Sequence, residues 1–269
     1  MERENRSIFF YLRLDMRYKI VIEYDGTNLL GWQWQPDGDS VQAFLEKAIR
    51  NAFGRFVFED VENGALVWGA GRTDAGVHAL GQVAHFDLDL DIEGWKLREA
   101  LNANLRDLDA PVSVIDVEKV DEEFHARFSA KGRGYIYRIL NRRAPSVLLK
   151  NRVWWVPVPL DVEKMREASK CLLGKHDFTS FRAAACQAKS PIKTLDKLEI
   201  IQNGQEIIFE VEARSFLHHQ VRNFVGTLKM VGDGHFKVDD VQRILEAKDR
   251  KQAGVTAPSE GLYLSKVWY

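Results

Sequence analysis

Apolar and polar positions alternate along this chain with two periods, and the period switches several times. From Arg17 to Tyr24 it is two, with Ile20, Ile22 and Tyr24 on one face, which predicts a strand. Asp25-Gly26 then makes a turn, and Trp32 and Trp34 fall in a glycine-containing loop. Behind it Val41, Phe44, Leu45, Ala48, Ile49, Ala52 and Phe53 recur at helical spacing, with Asp39 as expected N-cap and Gln42 at N3. Phe56 to Phe58 and Ala65 to Trp68 read as short strands around the acidic turn Glu59 to Gly64. Gln82 to Phe86 alternates again. A second helix is predicted over Gly94 to Leu105, with Trp95, Leu97, Leu101 and Leu105 apolar, and a strand over Val112 to Val120.

The rest of the chain follows the same logic. Phe124 to Ser129 and Tyr135 to Leu140 read as extended, and Met165 to Leu173 as a helix stopped by Gly174. Ile192 to Gln202 and Glu206 to Ala213 form a hairpin across Asn203-Gly204. Phe216 to Val231 reads as a helix with Leu217, Val221, Phe224, Leu228 and Val231 on its core stripe. A short helix over Val238 to Ala247 and a last strand over Leu262 to Trp268 complete the series. Helices alternating with frequent hairpins argue for an α+β protein with a mainly antiparallel sheet, in two similar halves. The charge sign reverses at Asp121-Glu122-Glu123. The expected division is therefore an N-terminal extension over 1–15, charged and without expected order, a first half over 16–123 and a second over 124–269.

Composition adds bounds. A chain of 269 residues, 45% hydrophobic and 29% charged, suits a soluble globular protein of one or two domains. The apolar run Ile8 to Leu12, broken by Arg13, is too short for a signal peptide's core or a membrane span. Two cysteines, Cys171 and Cys186, make no disulfide framework, so a cytoplasmic location is expected. Net charge is −1, yet the charges are unevenly spread. Phe124–Leu160, Phe178–Leu195 and Ala213–Gly232 together hold 14 of the 38 Lys and Arg and none of the 39 Asp and Glu. If they meet in space, they form one electropositive cleft on a near-neutral protein. Arg127, Arg133, Arg142, Arg143, Arg182, Lys189 and His218 are its candidate nucleic-acid contacts.

Three stretches carry candidate chemistry. Gly69-Ala70-Gly71-Arg72-Thr73-Asp74-Ala75-Gly76-Val77-His78 lies between two predicted strands. It fails as a dinucleotide loop, because Asp74 stands where the third glycine belongs, and as a P-loop, because Gly76 is followed by Val77 and His78. It either presents the Asp74 carboxylate to a ligand or is a surface turn in which Asp74 caps its own backbone. Tyr135 and Tyr137 share a strand face with Ile139, and suit either stacking on a nucleobase or a half-buried core. His218 and Arg222, four apart, share one face of the predicted helix. Arg222 reaches inward to a carboxylate, or both belong to a solvated face. The seven histidines show no metal-ligand spacing, and no G-x-S-x-G elbow is present.

The loop Ala70 to His78 resembles the catalytic motif of the tRNA pseudouridine synthase A (TruA) family. The resemblance extends from about Tyr18 to Trp268. It includes Glu23-Tyr24-Asp25-Gly26, Gly31-Trp32-Gln33, Phe124 to Ala130, Asp177 to Arg182, Val221-Arg222-Asn223 and Glu260 to Leu264. The departures are the N-terminal extension and Gly134, where the family often carries a bulkier residue. The resemblance implies a pseudouridine-synthase fold, a homodimer that grips one tRNA, and isomerisation of uridines 38, 39 and 40 in the anticodon stem-loop. It implies no cofactor and no metal. By resemblance Asp74 is the catalytic carboxylate, Tyr135 stacks on the flipped base, Arg222 pairs with Asp74, Leu262 lines the pocket and Arg72 intrudes on the RNA or supports the flipped state. The residues leave two other readings open: a non-catalytic RNA-binding module, and a glycosidase that releases the base.

Overall fold

Ten strands form one sheet in the computed structural model, which describes residues 15–57 and 66–269. They are β1 (Asp15–Tyr24), β2 (Trp68–Gly69), β3 (His78–Asp89), β4 (Val112–Val120), β5 (Gly132–Asn141), β6 (Trp154–Val156), β7 (Gly174–Asp177), β8 (Ile192–Asn203), β9 (Glu206–Ala213) and β10 (Leu262–Trp268). The order is β4-β1-β3-β10-β5-β9-β8-β7, with β2 on β3 and β6 on β5. Pairing is antiparallel except between β10 and β3 and between β5 and β6. The α+β reading with a mainly antiparallel sheet therefore holds. The final strand joins what precedes it: β10 lies between β3 and β5, pairing Tyr263 with His78 on one side and Leu264 with Tyr135 on the other.

Among the described residues five α-helices accompany the sheet: α1 (Val41–Phe53), α2 (Gly94–Asp107), α3 (Val162–Ser169), α4 (Gln220–Gly232) and α5 (Asp240–Ala247). Two apolar cores form beneath them. One joins Tyr18, Ile20, Ile22, Phe86 and Leu88 to Leu45, Ile49, Leu97 and Leu101. The other joins Tyr137, Ile139, Phe209 and Val211 to Met165, Phe224, Leu228 and Ile244. Tyr135 packs against both, and its cross-strand neighbour Leu264 belongs to the first, so both cores lie on the same face of the sheet.

The structure changes several expected boundaries. Ser40, not Asp39, caps α1, its Oγ accepting from the Ala43 amide at 3.2 Å. Gln42 instead accepts from the Trp34 amide and donates to Glu46, so it ties a loop to the helix rather than closing a capping box. Phe56 lies in a 3-10 turn, not a strand. Trp95 is 60% exposed, because only Leu97, Leu101 and Leu105 of α2 face the sheet. Residues 124–129 form turns rather than extended chain, held by the Ser129 amide on the His125 carbonyl. Phe178, Phe181 and Phe224 pack as a buried trio under α4. The expectations on residues 1–14, on the turn 59–64 and on Phe58 and Ala65 lie outside the described residues.

Candidate active site

Residues 70–77 connect β2 to β3 and carry Asp74 across the sheet towards α4. Local bonds fix the loop tightly. The Ala70 amide donates to Val83 O at 2.7 Å, and Gln82 Nε2 donates to Gly71 O at 2.8 Å. Thr73 is buried, with its Oγ1 2.8 Å from the Tyr24 hydroxyl and its carbonyl accepting from the Trp32 amide at 3.1 Å. Gly76 has φ +77°, a conformation that a side chain strains, and an added Cβ there would sit 2.5 Å from Ser259 Oγ. The sequence signal for the loop was its three glycines. Of its buttress, Tyr24 and Trp32 were marked only as members of blocks that carry the family resemblance, and Gln82 gave no signal, because it reads as an ordinary strand residue.

Asp74 does not cap its own backbone with its side chain. Its Oδ1 lies 3.1 Å from His218 Nε2, and its Oδ2 lies 3.1 Å from both His219 Nε2 and Arg222 Nη1. The carboxylate is 29% exposed and Arg222 is 15% exposed, so the cluster is partly open to solvent rather than sitting in the core. Burial alone would raise the Asp74 carboxyl. The hydrogen bond from His219, and the charges of His219, His218 and Arg222, outweigh it and hold the group at about 2.

The local sequence explains how these groups converge. α4 starts at Gln220, not at Phe216. His219 is left-handed, with φ +62°, and Gln220 Oε1 accepts from the Leu217 amide to close the turn. Consecutive residues of a helix point about 100° apart, so a helix running through both histidines would not direct them at one carboxylate. The left-handed turn does so, bringing the rings to 3.9 Å between centroids. The helical reading concealed His219, and the adjacent His-His pair was its only signal. Arg222, in the first turn of α4, also donates from Nε to Ala257 O at 2.7 Å, so its fork is fixed from two sides.

Tyr135 lies on β5, half-buried, with its ring edge-on to Phe216 at 5.1 Å. Its hydroxyl is pushed up to about 12, first by burial and further by the negative charge of Asp74, against the opposing charge of Arg133. Tyr137 is fully buried and donates to Pro258 O at 2.8 Å, so it belongs to the core. Leu262 is buried at the start of β10, opposite Tyr137. Arg72 projects from the loop into solvent.

The basic stretches meet in part. The Ala183 amide donates to His218 O at 2.9 Å, and Arg133 Nη1 donates to Arg214 O at 2.8 Å. Arg182 therefore lies beside the His218 segment, and Lys189 is exposed on the same connection. Other cations of these stretches are engaged elsewhere. Arg138 pairs with Glu206 at 2.7 Å and Arg152 with Asp25 at 2.5 Å. Arg142 donates to Ala144 O, Pro145 O and Gln205 Oε1, ordering its own turn. Arg133 spends its donors on backbone carbonyls. Arg127 and Arg143 are exposed.

Among the described residues, Asp74, His218 and His219 form a set of three groups close enough to share a metal ion. The donor set fits one poorly, because Arg222 holds the same carboxylate and would repel the cation.

The sequence matches the profile of a family described as tRNA pseudouridine synthase over residues 20–129 and 168–269. It is 54% identical over 253 residues to tRNA pseudouridine synthase A of Paramagnetospirillum magneticum, covering 94% of this chain and 95% of the relative. It is likewise 54% identical to tRNA pseudouridine synthase A of Brucella anthropi, covering 94% and 98%. A solved chain of a Cbf5-Nop10-Gar1 complex aligns over 92% of this chain and 47% of its own length, at 11% identity and a TM-score of 0.32, too distant to carry an argument. By profile, identity and coverage, the chain belongs to the tRNA pseudouridine synthase family and is an isomerase acting on tRNA.

Proposed function

We propose that the protein isomerises uridine to pseudouridine at positions 38, 39 and 40 of the tRNA anticodon stem-loop, with Asp74 as its catalytic carboxylate. The carrying observation is the Asp74 cluster: one aspartate, held ionised by Arg222 and two histidines, open to solvent on a glycine loop. The reaction breaks the N1–C1′ bond, turns the uracil, joins C5 to C1′ and releases the C5 proton. Nothing is oxidised and no group is added, so no cofactor is required. An ionised carboxylate suits the ribose step, as nucleophile at C1′ or base at C2′.

The remaining residues take roles around it. The target base leaves its stack, at a cost of a few kcal/mol, and Tyr135 offers a face for stacking that offsets part of this. Its hydroxyl, protonated at neutral pH, is placed to help move the C5 proton. Leu262 lines the pocket and helps exclude water, and Arg72 meets the RNA or supports the flipped state. Arg127, Arg143, Arg182 and Lys189, with His218, contact the RNA. Residues 16–123 supply the aspartate and 124–269 supply its partners. The enzyme works in the cytoplasm, the reading that its two cysteines and short N-terminal apolar run support, and as a homodimer, as the family resemblance implies. Among the described residues no helix is long and apolar enough to cross a membrane.

The test is release of tritium from C5-labelled uridine in an unmodified tRNA transcript. Wild type releases tritium to water without free uracil, and Asp74→Ala binds tRNA but releases none. Turnover by Asp74→Ala near the wild-type rate would remove Asp74 from the mechanism. Free uracil would identify a glycosidase, which requires a second carboxylate beside the one this cluster offers.

A further inference from the structure

Arg133 projects from β5 on the same side as Tyr135, two residues away. Its Nε and Nη2 donate to Ala70 O at 3.2 and 2.7 Å. Nη2 also donates to Arg127 O at 3.0 Å, and Nη1 donates to Arg214 O at 2.8 Å. Four of the five N–H groups of a guanidinium are thereby used on three carbonyls. No carboxylate pairs with this cation among the described residues, so carbonyl dipoles alone stabilise it.

The three carbonyls belong to three parts of the site. Ala70 opens the loop that carries Asp74. Arg127 lies in the exposed turn after β4. Arg214 opens the run into His218, His219 and Arg222. The other hydrogen bonds that fix the loop backbone and Thr73 run to Leu29, Val83, Gln82, Trp32 and Tyr24, or within the loop from the Val77 amide to Asp74 O, all earlier than residue 124. Arg133 is therefore the clasp between the backbone of the aspartate loop and the segment that supplies its partners. Its position also leaves little to offer a phosphate: the fork already faces inward, and Gly71 lies 3.7 Å from its Nε by the position of an added Cβ.

The geometry points to Arg133 as a positioning residue that sets Asp74 against Arg222 and the two histidines, rather than as an RNA phosphate contact. This rests on the reading of Asp74 as the catalytic carboxylate. A lysine would keep the charge but lose the planar fork, since one ammonium cannot address three carbonyls in one plane. A displacement of the order of an ångström at the reacting groups lowers a rate about 10²-fold.

The experiment uses the full chain with Arg133→Lys and Arg133→Gln, a tritiated tRNA transcript, filter binding across a salt series, and thermal unfolding. Arg133→Lys is expected to unfold within a few degrees of wild type and to bind tRNA within about threefold. Its slope of log affinity against log salt stays that of wild type, while its single-turnover rate at saturating tRNA falls about 10²-fold. Arg133→Gln shows the same split. A purely structural role would lower the melting temperature and leave the saturated rate of the folded fraction unchanged, which overturns the proposal. A salt slope shallower by about one in Arg133→Gln, which removes the charge, whatever the rate, makes Arg133 a phosphate ligand and also overturns it. Asp74→Ala in parallel separates the two readings: if it turns over, the aspartate assignment fails, whereas the salt slope of the Arg133 variants still reports on phosphate contact.

Discussion

At the scale of single residues, the site is a problem in keeping a carboxylate ionised where water is partly excluded. Burial pushes Asp74 towards the neutral acid, and three nitrogen-bearing side chains reverse the preference and hold it at about 2. A carboxyl held below its ordinary value of 3.8 adds stability that is fully present above about pH 4 and is lost as pH falls towards 2. The amount is about 2 kcal/mol, since each unit of pKa is worth about 1.4 kcal/mol. Asp74→Asn should therefore lower unfolding free energy near neutrality, and the gap from wild type should close between about pH 4 and 2. Denaturant melts across that range measure it, and a gap constant from neutrality to pH 2.5 would contradict the electrostatic account. The same values shape the rate profile. Asp74 is ionised and the Tyr135 hydroxyl protonated from pH 5 to 9, so neither contributes a limb there. A single-turnover rate that stays flat from pH 5 to 9 is therefore expected, and an inflection in that window would contradict these assignments.

At the scale of elements, α4 shows both what the sequence reveals and what it conceals. Its core stripe, from Val221 to Val231, was legible because burial against a sheet demands helical spacing, and each of those residues is buried. Its start was not, because Phe216 and Leu217 continue the apolar pattern while the left-handed backbone of His219 interrupts the helix. Pattern records which side faces the core, and it carries no information on a single dihedral angle. Strand order is similarly hidden: nothing local in Leu262 to Trp268 places β10 between β3 and β5. The ion pair of Arg222 with Asp74 was legible only by resemblance, since 148 residues separate them. The structure also lowers its expected energetic weight. Removing one partner of a fully buried pair costs about 3–5 kcal/mol, but this pair is partly open to solvent. Arg222→Ala, which also strips a donor from Ala257 O and loosens α4 from the chain before β10, should cost about 1–3 kcal/mol and abolish turnover. An unchanged melting temperature would show that α4 does not depend on this contact.

At the scale of the whole molecule, a net charge of −1 gives no general attraction for RNA, so binding depends on where cations remain unpaired. Many do not. Arg17, Lys19, Arg138, Arg152, Lys197 and Lys266 are matched to Asp87, Glu118, Glu206, Asp25, Glu210 and Glu212. Arg72, Arg127, Lys131, Arg143, Lys150 and Lys189 are exposed, and no ion pair holds them among the described residues. All but Arg72 come from the acid-free stretches, so the uneven charge distribution of the sequence persists as unpaired, exposed cations on a near-neutral protein. If five or six of them neutralise phosphates, log affinity for tRNA should fall with log salt at a slope of about −4 to −5. The paired set sharpens the expectation. Arg143→Gln with Lys189→Gln should make that slope shallower by between one and two. Arg138→Gln should leave it unchanged, because that guanidinium already has its carboxylate. Filter binding from low to physiological salt distinguishes these outcomes. Equal slopes for all three proteins would mean that the tRNA lies on a different face, and that the acid-free stretches owe their charge to folding rather than to RNA.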